Sequence, residues 1–328
     1  MAIETSQSRA GQNNATGDDR ALFEKKMQTD VLRFFQATCI GKALVMNKTI
    51  PNGKSAEFPV VGNATAQYHT PGALLEGNVI KASAREITID AMLTAFAYIP
   101  DIDDAMSHYD QNSAYNESIG RALAKRYDQD LFRMVAKAAM IEDSTDATAA
   151  GLRSFDDDIY TTLVEFDVAG DELNGQKIFV KVAEAIAQWE SKDVVGEPVI
   201  VFPPTQYYAL LNNPANTGLT WVNDEYAQSG KVPLILGKRV MKSPHIPQSD
   251  DSANTAIATK YRADFSNIIG LIFAKEAVGS LQLLGLSMRS DYVPTRLATL
   301  VVGKMAVGFG ILNHSCAMAL VKAVAPLP

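Results

Sequence analysis

Between residues 112 and 141 the apolar positions Tyr115, Ile119, Ala122, Leu123, Tyr127, Leu131, Met134, Val135 and Ala138 return every three or four residues. That spacing predicts one long helix with a single buried stripe. Asn116, Arg121, Lys125, Asp128 and Arg133 fall on the opposite face, and Asn112 or Ser113 suits the start as a cap. At 1.5 Å per residue the helix is a rod of roughly 45 Å, long for a globular protein and suited to a spine. The same period predicts a first helix over 20–43, on Leu22, Phe23, Met27, Val31, Leu32, Phe35 and Ile40, with Gly41 stopping it. Ile178, Val182, Ile186 and Trp189 predict a third over 176–192, and Pro203-Pro204 opens a fourth through Leu211.

Elsewhere the period drops to two. Pro51-Asn-Gly marks a turn before a strand over 55–61, where Pro59 favours a sheet edge. A second strand over 79–91 puts Ile80, Ala82 and Ala84 on one side, then Ile87, Ile89 and Ala91 in the opposite phase, which predicts a bulge near Arg85-Glu86. The two strands read as a ribbon whose second strand spans roughly 40 Å at about 3.3 Å per residue. A lone ribbon of this kind is marginal in water, so it is expected to lean on another copy of the chain. Further strands are expected at 199–202, 232–236, 238–242, 267–273, 281–287 and within 298–311. Helices and strands mix without strict alternation, so the fold class is α+β.

The chain has 328 residues, enough for one large or two ordinary domains. Its net charge of −7 comes with no Lys/Arg run, which argues against a protein that grips nucleic acid and is compatible with one that encloses it without adhering. Cys39 and Cys316 are the only cysteines, too few for a disulfide framework, so a reducing compartment is expected. Residues 1–20 read as a flexible polar arm without the apolar stretch of a signal peptide. The apolar run from Leu297 to Val324 is broken by Lys304, Asn313, His314 and Lys322 and reads as buried sheet rather than a membrane helix.

The search for chemistry finds no zinc spacing, no phosphate loop and no nucleophile elbow. Asp101, Asp103 and Asp104, followed by Asp110, are the densest carboxylates and read as acidic residues near a helix start rather than a metal site. Asp156 to Asp158 read as a solvated loop, and His108-Tyr109-Asp110 as a structural hydrogen-bonding run. Tyr207, Tyr208 and Trp221 read as packing residues, and Cys39 as a small core residue. No cofactor and no enzymatic activity are expected.

Asn52-Gly-Lys-Ser-Ala-Glu-Phe-Pro-Val-Val-Gly62, Tyr68-x-x-Pro-Gly72, Ile87-Thr-Ile-Asp90, Leu93-Thr-Ala95 and Asp101-Ile-Asp-Asp-Ala-Met-Ser-His-Tyr-Asp110 resemble the major capsid protein of short-tailed, autographivirus-type tailed phages (podoviruses). Asn267-Ile-Ile-Gly-Leu-Ile-Phe273 followed by Ala277-Val-Gly-Ser280 resembles that family's late strand region. The resemblance implies the Hong Kong 97-type fold, with five parts. Residues 1–45 would be the N-terminal arm and first helix, 46–90 the extended loop, and 91–175 the peripheral domain with its spine helix at about 112–141. Residues 176–265 would be the axial domain, and 266–328 the strands that return to the peripheral domain. It further implies self-assembly as pentamers and hexamers into an icosahedral shell around double-stranded DNA, with scaffolding, portal and decoration proteins as partners. Phe58, Val60, Tyr68, Ile80 and Ile87 are the expected inter-subunit contacts of the loop, and Phe58→Asp is expected to leave soluble subunits that fail to assemble. Tyr115, Ile119, Leu123, Tyr127 and Leu131 are the expected packing positions of the spine. The chain departs from the pattern at Asn313-His-Ser-Cys316, where relatives often carry Arg-Pro-Glu-Ala. A protein compartment around enzyme cargo, and a metal-dependent enzyme using Asp101, Asp103 and Asp104, are the alternatives.

Overall fold

A computed structural model describes residues 19–61, 66, 68–69, 82–102, 111–141, 163–168, 170–192, 194, 196–211 and 234–322. In chain order its helices are α1 (Asp19–Thr38), α2 (Gln111–Ala139), α3 (Gly175–Ser191) and α4 (Pro204–Leu211). The strands before the last helix are β1 (Met46–Thr49), β2 (Ser55–Val61), β3 (Ala82–Thr88), β4 (Leu93–Pro100), β5 (Val164–Glu165) and β6 (Val199–Phe202). After it come β7 (Leu234–Ile235), β8 (Lys238–Lys242), β9 (Ile268–Phe273), β10 (Val278–Val293), β11 (Ala298–Ile311) and β12 (Ala317–Val321). The chain divides into two compact units, the first built from residues 1–39, 91–126 and 284–306, the second from 40–90, 127–283 and 307–328. α2, β10 and β11 each contribute one stretch to either unit.

In the first unit β4 pairs antiparallel with the start of β11, from Ala298↔Pro100 to Met305↔Leu93. The helix packs closely here because Gly303 has no side chain: a Cβ would lie 2.7 Å from Ile119 and 3.1 Å from Leu123. Gly120 does the same for α1, since a Cβ there would meet the Val31 carbonyl and Phe34 at 3.0 and 3.1 Å. The spacing that predicts α1 is sound, but the helix ends at Thr38 rather than running to 43. Gly41 opens a short 3-10 turn instead of acting as a stop.

The second unit holds a six-stranded sheet in the order β5-β12-β9-β6-β8-β7. β9 reads Ile-Ile-Gly-Leu-Ile-Phe and is buried at all six positions, as is β12 at all five, so both are apolar throughout rather than alternating. Gly270 is required where the Phe202 ring crosses β9, since a Cβ would lie 2.6 Å from it. α3 places Ile178, Val182, Ala185, Ile186 and Trp189 in the core, each large side chain contributing about 1.5–3 kcal/mol on burial. Asn174 caps its start, accepting from the Gln176 N–H at 3.0 Å. β7 and β8 join through Leu236 and Gly237, both at positive φ, the two-residue turn that matches strand twist.

Most of the expected α2 stripe is buried: Ile119, Leu123, Tyr127, Leu131, Met134, Val135 and Ala138. Tyr115 is half-buried and Ala122 exposed. Tyr127 donates or accepts a hydrogen bond with Ser280 at 2.9 Å and stands edge-on to Phe309, ring centroids 4.9 Å apart. The expected polar face is corrected at three positions. Asn116, Asp128 and Arg133 are buried, and Asn112 and Ser113 lie inside the helix, which begins at Gln111. Asp128 is burial-tolerant because it accepts from the backbone N–H groups of Ile40 and Gly41 at 3.1 and 2.9 Å, with His245 Nδ1 at 3.4 Å. Arg133 donates to Asp251 through Nε at 2.9 Å and to Asp130 through Nη1 at 3.0 Å. Ile40, Gly41, His245 and Asp251 sit far away in sequence, so periodicity alone assigns Asp128 and Arg133 to solvent.

Candidate assembly interface

β2 and β3 form the expected two-stranded arm, paired antiparallel from Ser55↔Thr88 to Val61↔Ala82. The register is unbroken, so the predicted bulge near Arg85-Glu86 is absent. Arg85, Ile87 and Ile89 share the buried side while Ala84, Glu86 and Thr88 are exposed. Because Arg85 is charged yet faces inward, a pattern that sends charges to solvent shows a phase change that the strand does not have. Its charge is tolerated inside along with His314, which burial and then the Arg85 charge hold down at about 4.

The arm has a specific footing in the second unit. Phe58 is buried opposite Arg85, with Lys48 Nζ 5.2 Å from its ring centroid and donating to the Glu57 carbonyl at 2.7 Å. Ile87 drops into a slot lined by two glycines. A Cβ on Gly279 would lie 2.7 Å from Ile87 Cδ1, and one on Gly310 would lie 2.8 Å from its Cγ1. Gly308 sits beneath the end of β3, where a Cβ would press on the Thr88 carbonyl and approach Ile89 Cα at 2.9 Å. A side chain on Gly308 would displace backbone, so at that point the root of the arm is a close backbone-to-backbone contact.

The five loop residues expected at the interface separate under this geometry. Phe58 and Ile87 are 6% and 3% exposed within the single chain, so their apolar surface is already used inside the subunit. Phe58→Asp is therefore expected to damage the fold as well as assembly, which corrects the expectation of an intact subunit. Tyr68 is fully exposed and has its whole ring available to a neighbour. Val60 lies in β2 opposite Ser83, and Ile80 falls outside the described residues.

A second surface was not visible in the sequence. On β4 the alternation runs outward at Thr94, Phe96 and Tyr98, leaving Phe96 65% exposed. Arg296 lies 4.5 Å from the Tyr98 ring centroid, and Leu297 beside it is exposed at positive φ. Tyr292 donates to Asp101 at 2.8 Å, which raises the phenol's pKa, and the Asp101 N–H donates to the Leu297 carbonyl at 3.0 Å. Monomeric proteins rarely expose aromatic and aliphatic side chains this densely unless they meet a partner.

Asp101 thus has a hydrogen-bonding role, while Asp103, Asp104, His108, Tyr109, Asp110, the run 156–158 and Trp221 lie outside the described residues. Among the described residues no three metal-ligating side chains cluster, and no helix is long and apolar enough to cross a membrane. Within the apolar run from Leu297 to Val324, residues 298–311 and 317–321 are strand, in β11 and β12. Tyr207 is buried against Tyr208, ring centroids 5.8 Å apart, while Lys242 covers both rings from the exposed side. Cys39 is half-buried just past α1, and burial followed by the Glu276 charge pushes the Cys316 thiol up to about 12.

Comparison with known proteins gives the same family three ways. The profile of the Gp10A-like family, described as major capsid protein, matches residues 57–321. The major capsid protein of Escherichia phage T7 is 28% identical over 329 residues, covering 94% of this chain and 93% of that one. Among solved structures, the capsid of cyanophage P-SCSP1u superposes with a TM-score of 0.71 at 30% identity, covering 88% of this chain and 89% of that one. The mature capsid of bacteriophage PhiM1 superposes with a TM-score of 0.64 at 15% identity, covering 88% of each chain, and shares the fold.

Proposed function

Because this chain belongs to the Gp10A-like family of phage major capsid proteins and has the Hong Kong 97-type fold, we propose that its β2–β3 arm is the element that reaches a neighbouring subunit. The chain is a structural component of the virion shell, and many copies of it assemble to close that shell. In the finer reading the copies group as pentamers and hexamers, with residues 176–265 at their centres and the shell around double-stranded DNA. Closed symmetry multiplies a contact that is weak in any one pair, and leaves no free edge. A net charge of −7 suits a wall that holds DNA without adhering to it. A scaffolding protein, a portal and a decoration protein are the further partners of this reading.

The observation that carries the arm's role is Tyr68. It lies between β2 and β3, beyond the buried root, with its ring entirely in solvent. Tyr68→Asp in the full chain is expected to leave the denaturation midpoint unchanged and to abolish shells seen by negative-stain electron microscopy. Normal shells from that variant would remove the arm from the assembly contacts. Nucleic acid inside purified particles would separate a DNA-holding shell from a compartment for enzyme cargo.

A further inference from the structure

Where the arm enters the second unit, a polar cluster lies outside the contacts assigned so far. Asp90 follows β3 by two residues. Its Oδ1 faces Lys260 Nζ at 2.8 Å, and its Oδ2 accepts from the Tyr261 hydroxyl. Lys260 Nζ also donates to the carbonyl of Thr88, the last residue of β3, at 3.2 Å. The same ammonium lies 4.9 Å from the Tyr261 ring centroid. The Tyr261 hydroxyl in turn accepts from the Phe309 N–H at 3.2 Å, which ties the cluster to β11. Tyr261 is 3% exposed, and burial followed by the Asp90 charge raises its pKa, so the phenol remains a donor.

The cluster is also braced from behind. The Lys260 carbonyl accepts from Lys137 Nζ on α2 at 2.9 Å. The same loop is held earlier by Arg133 on Asp251 at 2.9 Å. A polar path therefore runs from α2, through the loop 243–266, to the two residues at which the arm begins.

From this geometry we propose that Asp90, Lys260 and Tyr261 form a lock that fixes the angle at which the arm leaves its subunit, with Lys260 and Tyr261 as positioning residues for shell assembly. The inference rests on the reading of the arm as a contact with a neighbour. A ribbon has no core of its own to set its direction, so the direction is decided at the root. Beyond the buried Phe58–Arg85 pair, three further pairs at about 3.3 Å each project by about 10 Å, so a tilt of about 10° moves the end of β2 by about 2 Å, and the chain beyond it by more. A packed contact does not survive such a displacement. Lys260 and Asp90 keep 28% and 22% of their side chains in solvent, so the pair adds little to global stability while it restricts direction.

The test uses the full chain with Lys260→Met, which keeps most of the apolar stem and removes the charge. Hydrogen–deuterium exchange of the unassembled subunit is read over residues 55–61 and 82–88, and shells are then scored by electron microscopy. Exchange in the arm is expected to rise on the order of tenfold with a nearly unchanged unfolding midpoint, and regular shells are expected to be lost. Lys260→Arg retains donor and charge and is expected to restore both readouts. Ile178→Ala, in the α3 core, is the control: it should lower the midpoint without selectively loosening the arm. Unchanged arm exchange in Lys260→Met would overturn the lock, as would faster exchange accompanied by normal shells. Normal shells from Tyr68→Asp would instead remove the arm contact itself, whatever the exchange result at the root.

Discussion

Gly308→Ala places a single methyl group against the backbone at the root of the arm. The added Cβ would stand 2.9 Å from Ile89 Cα and 3.0 Å from the Thr88 carbonyl carbon, with the carbonyl oxygen closer still. Carbon atoms in contact prefer about 3.5–4.0 Å, so the strand end must retreat by about 1 Å. No side-chain rotation relieves the clash, because the obstacle is main chain. The retreat stretches the hydrogen bond from Asp90 N–H to the Val307 carbonyl, already 3.4 Å, and the one from Lys260 to Thr88 at 3.2 Å. Overpacking costs about 1–3 kcal/mol and two weakened hydrogen bonds about 1 kcal/mol each, for an expected loss of about 3–5 kcal/mol. Guanidinium unfolding of the unassembled subunit measures it, followed by the fluorescence of Trp189, which is buried in the same unit. Gly170→Ala is the reference. Its φ is 98° with no atom within 4 Å of a Cβ, so it carries only backbone strain of about 1–2 kcal/mol. Gly310→Ala meets Ile87 side-chain atoms instead of backbone and should fall between the two. A Gly308→Ala midpoint no lower than that of Gly170→Ala would refute the close approach at the root.

Arg133→Met leaves Asp251, 5% exposed, without its buried counter-charge and is expected to cost about 3–5 kcal/mol in denaturant unfolding. Adding Asp251→Asn should recover part of that loss, and strictly additive losses would argue against the pair. His314 stays neutral in the fold with a pKa of about 4 against an ordinary 6.5, so the unfolded chain takes up its proton first on acidification. The His314 contribution to stability is fully present above pH 6.5 and is lost as pH falls from 6.5 towards 4, up to about 3 kcal/mol. Replacing it by Gln should flatten the pH dependence of the unfolding midpoint across that window, and an unchanged slope would assign the acid sensitivity to other groups.

The helices were legible because their apolar stripes obey a local period, and α2, α3 and α4 fall within a residue or two of the expected limits. β8 matches the expected span, and β11 fills the stretch within which a strand is expected. What escaped was long-range satisfaction of polar groups. Asp128, Arg133 and Arg85 read as solvent-facing because their partners or pockets lie elsewhere in the chain. β4 escaped for the opposite reason. Its outward positions hold Phe96 and Tyr98 and its inward ones Ala95 and Ala97, so a rule that sends large apolar residues inside reads the strand inverted. β10 extends over sixteen residues where the pattern predicts only 281–287, because Arg289 and Asp291 break the apolar pattern beyond Ser287.

That inverted strand sets a kinetic problem for the protein before any shell exists. β4 ends its sheet, so one of its edges carries no partner strand among the described residues, and aromatic rings line the face beside it. Newly made chains thus present a template on which other copies can pair in the wrong register. Productive growth is second order or higher in subunit, and so is clumping, which makes yield a race that concentration alone does not win. A cell that accumulates this chain faster than nuclei consume it should fill with amorphous material, and slower synthesis should give more closed particles from the same total protein.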